Sequence, residues 1–214
     1  DCWQSGRIFL AGDAVHQHSP QGGFGMNTGL GDAVDLAWKL AATLQGWGGA
    51  NLLASYQLER QPVARRIVRQ ATDTMGELAD RQTLAMADTA TADGEAARRK
   101  LNDRIIRNRT EVFLSDGIVL GVRYDSSPIV CHDGTPPLKE SVSIYTPTSR
   151  PGARAPHGWL SKNRSMLDLF GKCFVLLAFN KSGSEGLKLV NAAHDLNMPI
   201  DLIEVDDADI SALY

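Results

Sequence analysis

The stretch RIFLAGDAVHQHSPQGGFGMNTGLG, residues 7–31, constrains the fold more than any other part of the chain. RIFLA is short, apolar and cut off by glycine, which reads as a buried strand. Asp13 follows at its carboxyl end, where α/β sheets place ligand-binding groups. Pro20, Gly22, Gly23 and Gly25 then form a loop almost without side chains, so its backbone can lie against a flat or anionic ligand. Met26, Asn27 and Thr28 open a helix whose unpaired N–H groups and positive dipole end face the same place. One carboxylate that accepts from hydroxyls and a bare backbone that donates to oxygens together describe a nucleotide-cofactor pocket.

The string GDAVHQHSPQGGFGMNTGLGDAVDLAWKLA resembles the second FAD-contacting motif of the flavin-dependent (class A) aromatic-ring hydroxylases, the group of para-hydroxybenzoate hydroxylase and phenol hydroxylase. The Gly-Asp, Pro, Gly-Gly, Gly, Asn and Asp-Ala landmarks stand in order over about thirty residues. The resemblance implies FAD as cofactor and NAD(P)H as co-substrate. It implies that Asp13, preceded by Gly12, hydrogen-bonds the ribityl chain, and that Pro20 lines the space over the flavin where oxygen and substrate meet. Gly22, Gly25, Met26 and Asn27 match positions whose backbone approaches the pyrimidine edge of the flavin. A helix end there favours the negative charge that a reduced flavin carries. The activity implied is transfer of one oxygen atom from O2 to a phenolic or polyketide ring.

The family also begins with a strand, a GxGxxG turn and a helix for the FAD pyrophosphate, and no such spacing occurs here. The expectation is therefore a fragment whose partner is the missing amino-terminal part of the same enzyme. Alone it should neither retain FAD nor hydroxylate anything. The rival reading is a non-catalytic remnant or a thioredoxin-like oligomerisation module, and a homodimer is left open.

The expected fold class is α/β, with the chain divided into three parts. Residues 1–114 read as the carboxyl-terminal part of a Rossmann-like FAD-binding domain, mostly helical. The helix from Thr28 to Gln45 repeats Leu30, Val34, Ala37, Ala41 and Leu44, an apolar stripe expected to be core, with Trp38 as a packing residue. A second helix runs from Leu52 to about Arg81, with Pro62 kinking it or opening a new one. Its string Tyr56…Glu59-Arg60-Gln61-Pro62-Val63-Ala64 resembles the pattern that follows the flavin helix in these hydroxylases. Arg60, Arg65, Arg66 and Arg69 read as a solvated helix face. Residues 84–97 read as a loop or frayed helix, and Glu95–Phe113 as a further helix. Residues 115–150 are rich in turn dipeptides and form an extended linker.

Residues 151–214 open with PGARAPHGWL, which resembles the entry to the thioredoxin-like domain of the phenol-hydroxylase branch. A short strand is expected near Met166–Leu169. The apolar runs CFVLLAF and DLIEV, joined by a helix near Ser184–Leu196, predict a parallel βαβ unit. Where a working thioredoxin carries Cys-x-x-Cys, Phe179-Asn180-Lys181-Ser182-Gly183 holds no cysteine, which excludes dithiol chemistry at that place.

Other candidates read as ordinary residues. His16 and His18 are loop histidines at the pocket rather than metal ligands, since no third ligand stands nearby. No nucleophile elbow accompanies Ser19. A net charge of −3 gives no nucleic-acid footprint, and the three cysteines are spaced too widely for a disulfide framework or zinc site. No apolar run reaches membrane-spanning length and no signal-peptide pattern opens the chain, so the expected location is the cytoplasm.

Overall fold

The computed structural model describes residues 2–78, 81–179 and 184–214. It resolves into two units, each assembled from separated stretches of chain. The first comprises residues 1–36, 56–122 and 139–145.

In the first unit the strands β1 (Gln4–Ser5) and β2 (Ile8–Phe9) pair antiparallel around Gly6. RIFLA is thus a two-residue hairpin strand rather than a buried one, and Ile8 is 68% exposed. Among the described residues β2 has a neighbour on one side only, so its other edge and one face stay open. Helix α1 spans Phe24–Leu44 and α2 spans Leu52–Leu78. Pro62 lies inside α2, which runs on as one helix instead of opening a new one there. The loss of one backbone donor is outweighed by a face that buries Val63, Ala64, Ile67 and Ala71. The core joins Trp3, Tyr56 and Ala64 to Phe9, Ala11, Val15 and Leu36.

Of the loop or frayed helix expected at 84–97, helices α3 (Arg81–Ala87) and α4 (Ala92–Phe113) take most, leaving only four residues between them. Thr91 caps α4 by accepting from the Gly94 N–H at 3.1 Å, and Asp93 and Glu95 complement its dipole. The short helix α5 (Asp116–Val119) sits inside the linker. Arg66 anchors it by donating to the carbonyls of Gly117, Gly121 and Ser141 at 3.1, 3.2 and 2.8 Å. Arg60 is 4% exposed. Two of the four arginines expected on a solvated face are therefore structural, and only Arg65 and Arg69 are exposed.

Helix α1 inverts the expected amphipathic pattern. Thr28, Asp32, Asp35, Lys39 and Ala42 are buried, at helical spacing. Leu30, Val34 and Leu44 of the supposed core stripe are 56%, 68% and 86% exposed. Asp32 can occupy the inner face because it is paired there, as described below.

The second unit comprises residues 37–55, 123–138 and 146–214. Strands β3 (Trp159–Ser161) and β4 (Arg164–Ser165) form a hairpin. Met166–Leu169 is a 3-10 turn, not a strand. Ser165 accepts from Leu167 N–H while Asp168 accepts from Ser165 N–H, a capping box that commits the segment to helical geometry. Strands β5 (Phe174–Phe179) and β6 (Ile200–Val205) pair parallel over six residues, with helix α6 (Ser184–Asp195) between them in sequence. Helix α7 (Ala208–Ser211) closes the chain. Met166, Leu169, Val205 and Ile210 form this unit's core. The Phe179–Gly183 stretch read against Cys-x-x-Cys falls, from Asn180 on, outside the described residues. Trp38 packs between Trp47, at 6.5 Å between ring centroids, and Phe174, at 5.8 Å. Cys173, the first residue of the CFVLLAF run, precedes β5 and is partly exposed, with its thiol on Asp201 Oδ2 at 2.9 Å. Among the described residues no helix is long and apolar enough to cross a membrane.

Candidate functional site

Asp13, Gln17, His18, Ser19, Pro20, Gly23, Phe24, Gly25 and Met26 line a cleft of about 410 Å³ in the first unit. The chain reaches it through two 3-10 turns, Gly12–Ala14 and Gln21–Gly23, before α1 begins at Phe24. Gly12 and Gly22 have φ of 60° and 79°, the left-handed region in which a side chain is strained. Gly25 has no such need, and a Cβ there would rest 3.7 Å from His18, an ordinary contact. Packing within the chain therefore does not require glycine at 25, whereas a bare wall to the cleft does. Asp13 lies within the first turn and is exposed. Met26 is 75% exposed, and Asn27 donates to Gly23 O at 3.4 Å. The structure thus brings Asp13, Pro20, Gly25 and Met26 to one cleft, with Gly12, Gly22 and Asn27 adjoining it in sequence.

Beneath the cleft lies a polar network. Asp32 is fully buried. Its Oδ2 accepts from Gly12 N–H at 3.1 Å and sits 2.5 Å from His16 Nε2, while its Oδ1 accepts from Arg60 Nε at 2.9 Å. Arg60 also donates to Thr28 O at 3.2 Å. His16 Nδ1 lies 2.8 Å from His18 Nε2. The network ties the Gly12 turn, the loop, α1 and α2 into one frame that sets the shape of the cleft. Burial, followed by the neighbouring His16, lowers the His18 pKa. Burial raises that of the Tyr56 phenol, which donates to Leu10 O at 2.8 Å.

Residues 1–71 match the FAD binding domain family. An FAD-dependent monooxygenase, opdD, of Penicillium oxalicum is 42% identical over 181 residues, covering 81% of this chain and 34% of that protein. A 2,4-dichlorophenol 6-monooxygenase of Delftia acidovorans is 35% identical over 218 residues, covering 92% and 37%. The chain belongs to the flavin-dependent aromatic-ring monooxygenase family. The solved rebeccamycin biosynthetic enzyme RebC with reduced flavin superposes with a TM-score of 0.82 at 41% identity, covering all of this chain and 40% of that one. The chain thus spans about a third of the length of the curated relatives it matches.

The cleft loop carries the string that resembles the family motif, whereas the frame beneath it has little local signature in the sequence. Asp32 and Asp35 suggest dipole partners for the first turns of α1, and Arg60 a surface cation. The one signal was Gly31. A Cβ at Gly31 would lie 2.7 Å from Arg60 Nη2, so the glycine makes room for the guanidinium. Replacing Gly31 with alanine should displace Arg60 from Thr28 O and strain its bond to Asp32. The expected cost is about 1–3 kcal/mol, measured by urea denaturation. A variant within 0.5 kcal/mol of the parent (a threshold of order RT) would show that Arg60 sidesteps freely.

Proposed function

We propose that residues 1–114 form one side of an FAD site in a monooxygenase that hydroxylates aromatic rings, phenolic or polyketide, with NAD(P)H and O2. The observation that carries this reading is the pairing of an exposed Asp13 carboxylate with the side-chain-poor start of α1 across one cleft. A carboxylate accepts from ribityl hydroxyls, and the leading N–H groups of α1 donate to flavin oxygens. Bound there, FAD supplies the redox and oxygen chemistry. The chain's own residues bind and orient it. Gly12 and Gly22 bend the backbone toward it, and Gly25, Met26 and Asn27 present main chain to its pyrimidine edge. Pro20 shapes the space above it.

The remaining contacts to the cofactor would come from the part of the enzyme that its relatives carry beyond the matched third. That part is the partner proposed here, and it would also cover the exposed Leu30–Val34 face of α1. Residues 115–150 would serve as an extended linker and residues 151–214 as a partial thioredoxin-like domain, a reading supported by the parallel β5–β6 pair. The cytoplasm is the location that suits a reduced nicotinamide co-substrate.

The test is a chimera in which this chain replaces the matching third of the Penicillium oxalicum monooxygenase. It should purify yellow, with flavin retained through gel filtration. Asp13→Ala in that chimera should weaken FAD binding about 10- to 100-fold, the worth of hydrogen bonds to one carboxylate. A folded, colourless chimera, or an Asp13→Ala variant with unchanged affinity, would overturn the assignment.

A further inference from the structure

The second unit carries a cleft of its own, and no residue lines both this cleft and the one at Asp13. The end of α1 sets its walls. Gly46 takes a φ of 85°, the left-handed turn that ends a helix, and Gly48 N–H then donates to Ala42 O at 2.9 Å. The chain is thereby folded back on α1, and Trp47 comes to lie beside Trp38 with the two indole planes within 16° of parallel. Phe174 opens β5 with its N–H on Pro199 O at 3.0 Å. Its ring stands nearly perpendicular to both indoles, 5.8 Å from Trp38 and 6.0 Å from Trp47 between centroids. The opening measures about 340 Å³, within the range of pockets that take small organic ligands.

These rings do not belong to a closed core. Phe174 is 41% exposed, and Trp38 and Trp47 are half-buried. Contiguous apolar surface left open in this way marks ligand grooves and contact sites. Gly171 in the cleft wall points the same way. Its φ lies outside the left-handed region, and a Cβ there would meet nothing within 4 Å. Neither backbone conformation nor packing within the chain asks for glycine at 171, whereas an unobstructed wall does.

The polar groups that line the cleft narrow the chemistry of its ligand. Gln45 Oε1 accepts from Trp47 Nε1–H at 2.9 Å, which leaves the Gln45 amide nitrogen as a donor. Lys172 is exposed and makes no ion pair among the described residues. The Cys173 thiol is committed to Asp201, and that hydrogen bond raises its pKa and keeps it in the unreactive protonated form. An ammonium and an amide donor therefore remain to meet a ligand, and both call for an anionic acceptor. The faces of the indoles are electron-rich and stack well on an electron-poor ring. A ring that bears a carboxylate meets both demands.

We propose that Trp38, Trp47 and Phe174, with Lys172 and Gln45, form a binding site for a flat aromatic acid, its ring on the indoles and its carboxylate on the Lys172 ammonium. The site needs no flavin, so it stands or falls apart from the cofactor reading.

The test titrates the full chain, 15N-labelled at tryptophan, with 2-naphthoate and follows the indole N–H signals by NMR. Those of Trp38 and Trp47 should shift together with a Kd of about 0.1–1 mM, the affinity expected of a molecule of this size. Trp3, which is buried, and Trp159, which is 63% exposed, should stay unmoved. Comparable shifts at Trp159 would show unspecific adsorption to exposed apolar surface and overturn the site. So would the absence of a shift at Trp38 and Trp47. Gly171→Leu adds a side chain to the cleft wall and should weaken binding about tenfold or more, with unchanged Trp3 and Trp159 signals reporting an intact fold. Undiminished affinity in that variant would overturn the cleft as the place of binding. Lys172→Gln and the neutral analogue 2-naphthamide test the charge. Either change should cost about 2- to 5-fold, the worth of an exposed ion pair, and the two losses should not add. Naphthamide that binds the parent as tightly as naphthoate, or naphthoate affinity unchanged by Lys172→Gln, would overturn the assignment of an acid.

Discussion

Asp32→Ala should cost about 3–5 kcal/mol of stability, because it takes a carboxylate away from a buried guanidinium. Arg60 is 4% exposed, and Asp32 is the carboxylate its Nε meets, at 2.9 Å. Asp32 also satisfies Gly12 N–H and the His16 ring. Truncating it removes acceptors from three donors on three different segments at once, and the Gly12 turn loses its tie to α1. The expected result in urea denaturation is a large fall in midpoint at nearly constant slope. A double variant separates the causes. If the uncompensated charge dominates, Asp32→Ala combined with Arg60→Met should recover part of the loss, since replacing both partners with apolar groups is often close to neutral. If the double variant is no better than the single one, the cost lies in the Gly12 and His16 contacts instead. A loss under about 1 kcal/mol, the scale of an exposed pair, would contradict the buried ion pair altogether.

The same cluster explains where the sequence was legible and where it was not. The parallel β5–β6 pair could be read because CFVLLAF and DLIEV are near-continuous apolar runs, which strands of a parallel pair tend to be. The glycine loop could be read because positive φ demands glycine locally, and its cofactor class through the family resemblance that the same string carries. Helix α1 misled for a physical reason. An apolar stripe is assigned to the core on the premise that charges face water, and here Asp32, Asp35 and Lys39 are buried. The partner of Asp32 comes from elsewhere in the chain, Arg60 being 28 residues away in sequence, so no local pattern announces that pairing. His16 and His18 were noticed as a pair, but in a loop their spacing left the ring-to-ring contact undetermined. Met166–Leu169 failed on an overlooked local rule, since Ser165 followed by Asp168 spells a capping box.

Trp3→Ala should be the most damaging apolar truncation in the first unit, at about 3–5 kcal/mol. Trp3 is 2% exposed and holds three elements together. Its ring meets Tyr56 of α2 at 5.8 Å and His16 of the cleft loop at 5.6 Å, and its N–H donates to Gln57 Oε1 at 3.0 Å. Its carbonyl accepts from Leu10 N–H at 2.9 Å, which extends the hairpin toward Gly12. Alanine keeps both backbone hydrogen bonds and leaves a cavity between the two rings, so the loss reports packing alone. Tyr56→Phe provides the contrast. It removes the single bond to Leu10 O and leaves the ring in place, for an expected cost of about 1 kcal/mol. Chemical denaturation of both variants checks the ordering. The Trp3 variant carries a second consequence, because Trp3 also shuts water away from His16. Its cavity should admit solvent to the histidine pair, and His16 should then react with diethyl pyrocarbonate as fast as His18. Equal stability losses in the two variants would mean that the hydrogen bond rather than the indole fixes the hairpin to α2, and would move the centre of this core from Trp3 to Tyr56.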